Sequence, residues 1–340
     1  MDINMNELVS VVIPTYKGTR KIARAIDSVL NSTYKNVEII VVDDNEPKSI
    51  ERFNTERIME KYRQENVKYI KHDQNKNGSA ARNTGINNAK GYYIAFLDDD
   101  DYYTTDRIQK AVDSLKRKKK NTFFSAVGVV RSGMNCSVTY IPQEITAKQI
   151  LLNDKIIGTG SNLFLETKVV KELGGFDETF VRYQDREFLM RLCKVGKIYV
   201  TDEILVIKSK NGQNNVPNIY KMKKTEEKFL EKFQMDYNEL SVEDKQNYLN
   251  RVNHVLFELA LEAKDKEEIE KSYIALKDSK SLYCYEKLAF LLERCSFIDE
   301  KKIKRVFVYI VYKVRNLVTA KTIKKNKGLW QYVKSMERIN

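Results

Sequence analysis

Apolar residues in the first two hundred positions follow two alternating patterns. Short apolar runs, typical of strands, are separated by segments whose apolar residues fall at helical spacing. Alternating strands and helices of these lengths predict an α/β fold, with a mostly parallel central sheet flanked by helices. The predicted strands are SVVIP (10–14), NVEIIVVDD (36–44), VKYIKH (67–72) and YYIAFLDDDD (92–101), and the predicted helices are a segment carrying Ile22, Ala25, Ile26, Val29 and Leu30, then 49–64 and 78–91.

The pattern changes near residue 215, within the turn-forming stretch NGQNNVPN (211–218). Beyond it strand signals disappear, and long segments rich in Lys, Glu and Leu follow. We therefore predict an α/β domain over 1–215 and an all-helical domain over 216–340. The helices of the second domain are expected at 219–234, 242–263, 266–277, 281–294 and 299–319.

Polar residues cluster where three of the predicted strands end. Thr15 and Tyr16 follow the first strand, Asp43 and Asp44 follow the second, and residues 98–101 follow the fourth. Ligands of such sheets bind outside the carboxyl ends of the strands. These clusters are therefore expected to converge in space around a ligand.

Composition narrows the class of protein. The chain has 340 residues, 42% hydrophobic and 31% charged, which suits a folded globular protein. Its four cysteines form no CxxC pair and it has two histidines, which argues against a structural zinc site and a disulfide framework. No secretory signal or run of 18 apolar residues is evident, so we expect a cytoplasmic protein.

The net charge of +13 is concentrated at one end, since the last forty residues hold 12 Lys+Arg against a single acid. Within them, residues 301–318 place apolar side chains along one helical stripe. Such a segment would suit either the inner face of an anionic membrane or packing on neighbouring helices. No recognition module accompanies the charge, so nucleic acid is not expected. The helical domain would equally suit a homo-oligomer or packing within one chain.

Four consecutive aspartates in AFLDDDDYY (95–103) form the most unusual acidic feature. The D-x-D spacing of Asp98 and Asp100 suits a hard divalent cation, Mn²⁺ or Mg²⁺, that carries a nucleotide diphosphate. The alternative is a solvated loop or a helix cap, with a helix starting across residues 101–107. The position of the run at a strand end, beside the acid pair Asp43 and Asp44, favours a metal site over a solvated loop or a helix cap.

Six motifs follow one another along the first two hundred residues: VSVVIPTYKG (9–18), VVDDNEP (41–47), NGSAARNTGI (77–86), AFLDDDDYY (95–103), LGGFDETF (173–180) and QDREFLMRL (184–192). Their order and spacing resemble the family 2 glycosyltransferases with the GT-A fold, of the bacterial cell-surface polysaccharide type. The resemblance covers roughly residues 8–208. It implies inverting transfer of a sugar from a nucleotide-sugar donor, UDP-linked, to a hydroxyl of a glycan or lipid-linked acceptor.

Matching positions imply a role for each site residue. Asp185 corresponds to the catalytic base, and inverting transfer is a single displacement that needs one base to take the acceptor proton. Asp98 and Asp100 would hold the metal. The residues implied at the nucleotide sugar are Pro14, Thr15, Tyr16, Asp44 (accepting from the base), Arg82 (near the phosphates), Asp98 and Asp99.

Two positions depart from the family pattern. The chain has DDNE where the family commonly has DDGS, and Gln184 where an acid often precedes the base. Neither change removes a residue with a chemical role. The alternative to an enzyme is a catalytically silent nucleotide-sugar-binding scaffold of a glycan assembly complex, which retention of Asp98, Asp100 and Asp185 disfavours.

Overall fold

A computed structural model of the protein describes residues 7–18, 21–131, 135–139, 142–153, 156–210 and 218–294, together with Gln331 and Met336. Within them the strands are β1 (Val9–Thr15), β2 (Val37–Asp43), β3 (Val67–Lys71), β4 (Tyr93–Phe96), β5 (Tyr102–Tyr103), β6 (Thr122–Arg131), β7 (Asn135–Thr139), β8 (Phe164–Glu166) and β9 (Ile198–Lys210).

Helices account for much of the remainder. The α-helices are α1 (Lys21–Leu30), α2 (Ile50–Met59), α3 (Gly78–Asn88), α4 (Arg107–Lys118), α5 (Ala147–Leu152), α6 (Thr167–Glu172), α7 (Gln184–Val195), α8 (Ile219–Lys232), α9 (Gln234–Asn238), α10 (Val242–Ala263), α11 (Lys266–Asp278) and α12 (Cys284–Arg294). Short 3₁₀ turns occupy Glu60–Tyr62 and Gly160–Asn162.

One sheet unites the strands in the order β3-β2-β1-β4-β8-β6-β9-β5, with β7 paired to β6. The first four strands of this order are parallel, as the alternation of strand and helix predicted. Beyond β4 the sheet is mixed, because β8 runs antiparallel to both of its neighbours and β6 and β9 pair in parallel. The carboxyl ends of β1, β2 and β4 lie together, which brings the predicted polar clusters to one edge.

The described residues group into two compact units. The first takes its residues from 1–146, 155–211 and 320–340 and contains the whole sheet. The second takes its residues from 147–154 and 212–319 and is helical. The segment carrying α5 therefore belongs to the helical unit, although it lies between strands in the sequence. The predicted boundary near 215 falls among residues 211–217, outside the described residues.

Contacts between largely buried polar side chains organise the helical unit. Glu226 of α8 accepts from the Tyr248 hydroxyl at 2.9 Å and pairs with Arg251 at 3.0 Å, both on α10. His254 of α10 lies 2.6 Å from Glu286 of α12. Polar contacts between helices of this kind fix which faces meet, while the apolar residues between them supply the burial.

Burial in the first unit follows the predicted pattern closely. Ile22, Ala25, Ile26 and Val29 of α1 are fully buried against one face of the sheet. Helix α3 covers the other face of β1, where Gly85 meets Val12. A Cβ at Gly85 would lie 2.2 Å from a Val12 methyl, so only glycine lets α3 approach this closely. This approach places the amino-terminal end of α3 beside the acidic edge of the sheet.

One prediction around the aspartate run is wrong. The fourth strand was expected to extend to residue 101, but β4 ends at Phe96. A helix was expected to start across 101–107, and α4 does begin at Arg107, but Tyr102 and Tyr103 before it form strand β5 on β9. Pairing with a strand about a hundred residues later decides this segment, and local propensity cannot anticipate such a partner.

The helix predicted at 299–319, the basic segment 301–318 included, lies outside the described residues. Among the helices that the structure describes, none is both long and apolar enough to cross a bilayer.

We expect Gly85→Ala to lower the free energy of unfolding by about 1–3 kcal/mol, as overpacking of a core does. Helix propensity alone would raise that free energy by about 1 kcal/mol, so the sign of the change separates the two effects. Urea unfolding of Gly85→Ala, Val12→Ala and the double variant measures the coupling. In the Val12→Ala background the added methyl should be tolerated; stabilisation by Gly85→Ala in the wild-type background would contradict the close approach.

Candidate active site

The four aspartates after β4 do not form a solvated run, because their carboxylates turn to different partners. Asp98 Oδ1 lies 2.6 Å from Arg82 Nη2. Asp99 Oδ2 accepts from Thr15 Oγ1 at 2.6 Å. Asp101, with no solvent exposure, accepts from Thr159, Ser161 and the Ser209 main chain.

Asp100 is the most exposed of the four acids, at 44% of its side chain, and its nearest cation is Lys21 Nζ at 4.0 Å. Its main-chain oxygen accepts from Arg24 Nη2 at 2.8 Å, which anchors the backbone and leaves the carboxylate facing outward. Asp100 is therefore the acid of the run best placed to meet a cation from solution.

Burial and neighbouring charges shift the pKa values of these four aspartates. Burial, reinforced by the charges of Asp98 and Asp100, raises the pKa of Asp99 and of Asp101 to about 7. Burial and the charge of Asp98 also raise the pKa of Asp100. Burial alone would raise the pKa of Asp98 too, but Arg82 and Lys208 outweigh it and the pKa of Asp98 is lowered.

Arg82 of α3 connects the aspartate loop to the amino-terminal end of α7. Its Nη2 pairs with Asp98, and its Nη1 donates to the Gln184 side chain at 2.8 Å. Its guanidinium also lies 5.5 Å from the centre of the Phe176 ring, which limits its movement. Since Asp185 follows Gln184 directly, the metal side and the base side of the predicted site share one arginine.

Gly160 leaves open the space between these groups. A Cβ at this position would lie 3.6 Å from Arg82 Nη2, 3.8 Å from Asp98 Oδ1 and 3.9 Å from Asp185 Cβ. The absence of a side chain at Gly160 therefore keeps room at the point where the three predicted site residues meet.

Asp185 lies in the first turn of α7, after Tyr183 in the left-handed conformation at φ 60°. Such a conformation is uncommon for a non-glycine residue and is often found at functional sites. Asp185 Oδ1 accepts from the Arg186 main chain at 2.9 Å. Among the described residues, Oδ2 has no hydrogen-bond partner, so one carboxylate oxygen remains available to accept a proton.

The second acid pair has a structural function in addition to any contact with a ligand. Asp44 is almost fully buried, and each of its carboxylate oxygens accepts two hydrogen bonds, at 2.7–2.9 Å. The donors are His72, Asn75 and the main chain of Lys76 and Asn77. Asp44 therefore fixes the loop that leads into α3, where Asn77 caps the helix.

The predicted nucleotide residues of β1 meet these clusters at the sheet edge. Thr15 contacts Asp99 through its hydroxyl, and its carbonyl accepts from the Asp44 main chain at 2.9 Å. Pro14 precedes it, in register with Val42 of β2. Tyr16 is 47% exposed, with no direct contact to the acids, and offers an aromatic face to solvent.

Several site residues were not predicted from the sequence. Thr159 Oγ1 contacts Asp98 at 3.2 Å and Asp101 at 2.9 Å, so it bridges two members of the aspartate run. Ser161 adds a hydrogen bond to Asp101 at 2.6 Å. The run of small residues GTGSN (158–162) was a signal for a tight turn, but nothing local indicated that this turn faces the aspartates.

The site can hold a divalent cation only with help from a ligand. Across the part of the chain that the structure describes, no three acidic, histidine or cysteine side chains converge to hold a metal ion. Asp98 and Asp100 are two crowded carboxylates near the surface, a donor set that suits Mn²⁺ or Mg²⁺ when diphosphate oxygens and water complete the coordination. The residues present therefore fit the metal.

Comparison with known proteins identifies the family. Residues 10–174 match the sequence profile described as "Glycosyl transferase family 2". An uncharacterized glycosyltransferase of Rickettsia bellii is 33% identical over 214 residues, which cover 60% of this chain and 30% of that protein. The chain spans about a third of the length of the first relatives it matches.

A second relative has a more specific name. The Escherichia coli protein WfaP, named UDP-Glc:alpha-D-GlcNAc-diphosphoundecaprenol beta-1,3-glucosyltransferase, is 38% identical over 119 residues, which cover 35% of this chain and 45% of WfaP.

Among solved structures, the mannosyltransferase PcManGT of Pyrobaculum calidifontis, in complex with GDP-Man and Mn²⁺, superposes with a TM-score of 0.52 at 14% identity, covering 94% of this chain and 89% of PcManGT. This similarity concerns the fold alone and agrees with the predicted GT-A architecture. The order of the motifs, the sheet and the matched profile together place residues 10–174 of this chain in family 2 of the glycosyltransferases, within a domain of the GT-A fold.

Proposed function

We propose that this protein is a metal-dependent inverting glycosyltransferase that moves a sugar from a nucleotide-sugar donor to an acceptor hydroxyl. The observation that carries the proposal is the double contact of Arg82, with Asp98 on one side and Gln184 on the other. It brings the acids suited to a donor diphosphate next to Asp185, the acid suited to a base. An inverting displacement needs both within one cleft.

Asp185 would act as the general base. Its Oδ2 would take the proton of the acceptor hydroxyl as the hydroxyl oxygen attacks the anomeric carbon of the sugar, whose bond to the diphosphate breaks. Gln184 beside it is neutral, so no neighbouring acid at that position competes for the proton. Arg82 would hold the loop of Asp98 in place during this step.

Asp98 and Asp100 would hold Mn²⁺ or Mg²⁺ together with the donor diphosphate. The metal would supply Lewis-acid stabilisation of the charge that develops on the leaving group. The loop presents these two carboxylates at a fixed spacing, because Arg24 binds the main chain of Asp100 and Arg82 binds the side chain of Asp98. Asp99 would keep the loop docked on Thr15 at the nucleotide.

Pro14, Thr15 and Tyr16 would line the nucleotide pocket, with the exposed ring of Tyr16 available to the base. Asp44 would shape the base end of that pocket. A base N–H that binds Asp44 would have to share an oxygen that already accepts two hydrogen bonds, so the loop that Asp44 holds would contribute to recognition as well.

The donor would be UDP-linked and the acceptor a glycan or lipid-linked sugar in assembly of a cell-surface polysaccharide. Similarity to WfaP, whose name gives a UDP-linked donor and a diphosphoundecaprenol acceptor, supports this choice. Contact of the basic segment 301–318 with the inner face of the cell membrane would suit such an acceptor, and this remains a prediction from the sequence.

A nucleotide panel tests the proposal directly. A ligand that binds only the folded protein stabilises it, by about 2.7 kcal/mol at a hundredfold excess over its Kd. We expect UDP and one UDP-sugar to raise the melting temperature in Mn²⁺ and to raise it less in EDTA. GDP and GDP-mannose serve as the comparison. The absence of any shift, together with no release of nucleoside diphosphate when acceptor is present, would favour a silent scaffold or an unrelated ligand.

Asp185→Asn should reduce transfer by at least about a hundredfold while donor affinity changes little, because the amide keeps the shape of the side chain and cannot accept the proton. The transfer rate is measured with a radiolabelled donor sugar, and donor affinity is measured by calorimetry. Asp202→Asn, at an exposed aspartate on β9, is the matched control. Retained transfer, or lost donor binding with retained chemistry, would contradict the base role.

Asp100→Ala should abolish the part of donor binding that depends on Mn²⁺, since it removes the more exposed of the two proposed metal carboxylates. Binding isotherms for UDP in Mn²⁺ and in EDTA should then coincide for the variant and differ for the wild type. The same Asp202→Asn control should behave as the wild type. An unchanged difference between Mn²⁺ and EDTA in Asp100→Ala would remove Asp100 from the metal site.

A further inference from the structure

Lys208 of β9 is a cation within the acidic edge of the sheet that the sequence motifs did not single out. It pairs in register with Val129 of β6, and its neighbour Ser209 donates its main-chain N–H to Asp101 at 3.3 Å. Strand β9 therefore runs directly alongside the aspartate loop.

The ammonium group of Lys208 lies at the turn that bridges the aspartates. Its Nζ is 3.4 Å from the Gly158 carbonyl oxygen, and the next residue, Thr159, contacts both Asp98 and Asp101. Lys208 thus reaches the short turn that also carries Gly160.

The acids determine the charge state of Lys208. Burial alone would lower its pKa, but nearby carboxylates outweigh burial and raise it, so the ammonium stays charged. Asp101 and Asp98 contribute most, followed by Asp185 and Asp100. Lys208 therefore interacts with the proposed metal ligands and with the proposed base.

Proximity to these acids does not use up the hydrogen-bonding capacity of Lys208. An ammonium group has three donors, and among the described residues Lys208 makes one long hydrogen bond and no ion pair within 4.0 Å. A lysine whose only role was to neutralise the loop would be expected to contact a carboxylate directly, as Arg82 contacts Asp98. Lys208 instead keeps donors available in a partly buried, acidic pocket.

We propose that Lys208 binds the diphosphate of the donor, so that diphosphate binding has a component that does not depend on metal. The inference rests on the proposed function, since it assigns a residue to the donor of that same site. A diphosphate held between Asp100 and Asp185 would lie next to Lys208, whose charge interacts with both acids. Charge-assisted hydrogen bonds to phosphate oxygens are stronger than neutral ones, and partial burial strengthens them further by reducing screening by water.

The test compares UDP with UMP, which differ in the β-phosphate. Affinities are measured by calorimetry in EDTA and in Mn²⁺ for the wild type, Lys208→Gln and Lys208→Arg. Lys110→Gln is the matched control, because Lys110 also interacts with acids, Asp106 and Glu203, that take no part in the site. Melting temperatures without ligand show whether each variant is folded.

In EDTA we expect Lys208→Gln to weaken UDP binding about tenfold, the factor that one charge-assisted contact provides, and to change UMP binding less than about twofold. Lys208→Arg should keep most of the preference for UDP, and Mn²⁺ should reduce the deficit of Lys208→Gln because the metal supplies charge to the same phosphates. Lys110→Gln should match the wild type.

Equal losses for UDP and UMP, or no loss for either, in folded Lys208→Gln would overturn the inference and leave Lys208 a structural counter-charge. Failure of the proposed function has a different signature: the wild type itself would bind no nucleotide. In that case the inference falls with the function on which it rests, before any variant is compared.

Discussion

The ion pair between Arg82 and Asp98 is the contact on which the rest of the site depends. The pair joins α3, which packs on one face of the sheet, to the loop that follows β4. The other terminal nitrogen of Arg82 donates to Gln184 at the start of α7. Three elements from distant parts of the chain are thereby fixed around one guanidinium. The close packing of Gly85 on Val12 sets the position of α3, so a core contact on β1 determines where the arginine lies.

Four adjacent aspartates are tolerated because the fold gives each a different environment. Arg82 neutralises Asp98, Thr15 binds Asp99, and the Thr159–Ser161 turn satisfies Asp101 in a fully buried position. Asp100 alone faces outward, with its nearest cation at 4.0 Å. Burial, together with the charges of neighbouring acids, raises the pKa of Asp99, Asp100 and Asp101, and a bound cation would favour their charged forms. Lys208 already offsets part of this effect for Asp100 and Asp101 from within the protein.

The two acidic clusters at the sheet edge, the pair Asp43 and Asp44 and the four aspartates after β4, have different physical functions. Asp43 and Asp44 are buried and saturated with hydrogen bonds, so they organise the loops that follow β2 and lead into α3. The aspartates after β4 keep at least one carboxylate accessible. A carboxylate whose lone pairs are all used by the protein stabilises the scaffold, and one with lone pairs to spare can bind a ligand or accept a proton.

The sequence by itself determined the parallel half of the sheet, the burial of α1, the acids at the strand ends and the family, because apolar periodicity and short motifs are local properties. It did not determine the mixed half of the sheet, strand β5 or the environment of the aspartates. Those depend on contacts between residues far apart in the chain, such as Asp101 with Ser209 and Arg82 with Gln184, which are 108 and 102 positions apart. Only the tertiary structure decides which turn and which lysine meet the aspartates, since nothing within GTGSN or in the strand around Lys208 carries information about its distant partner.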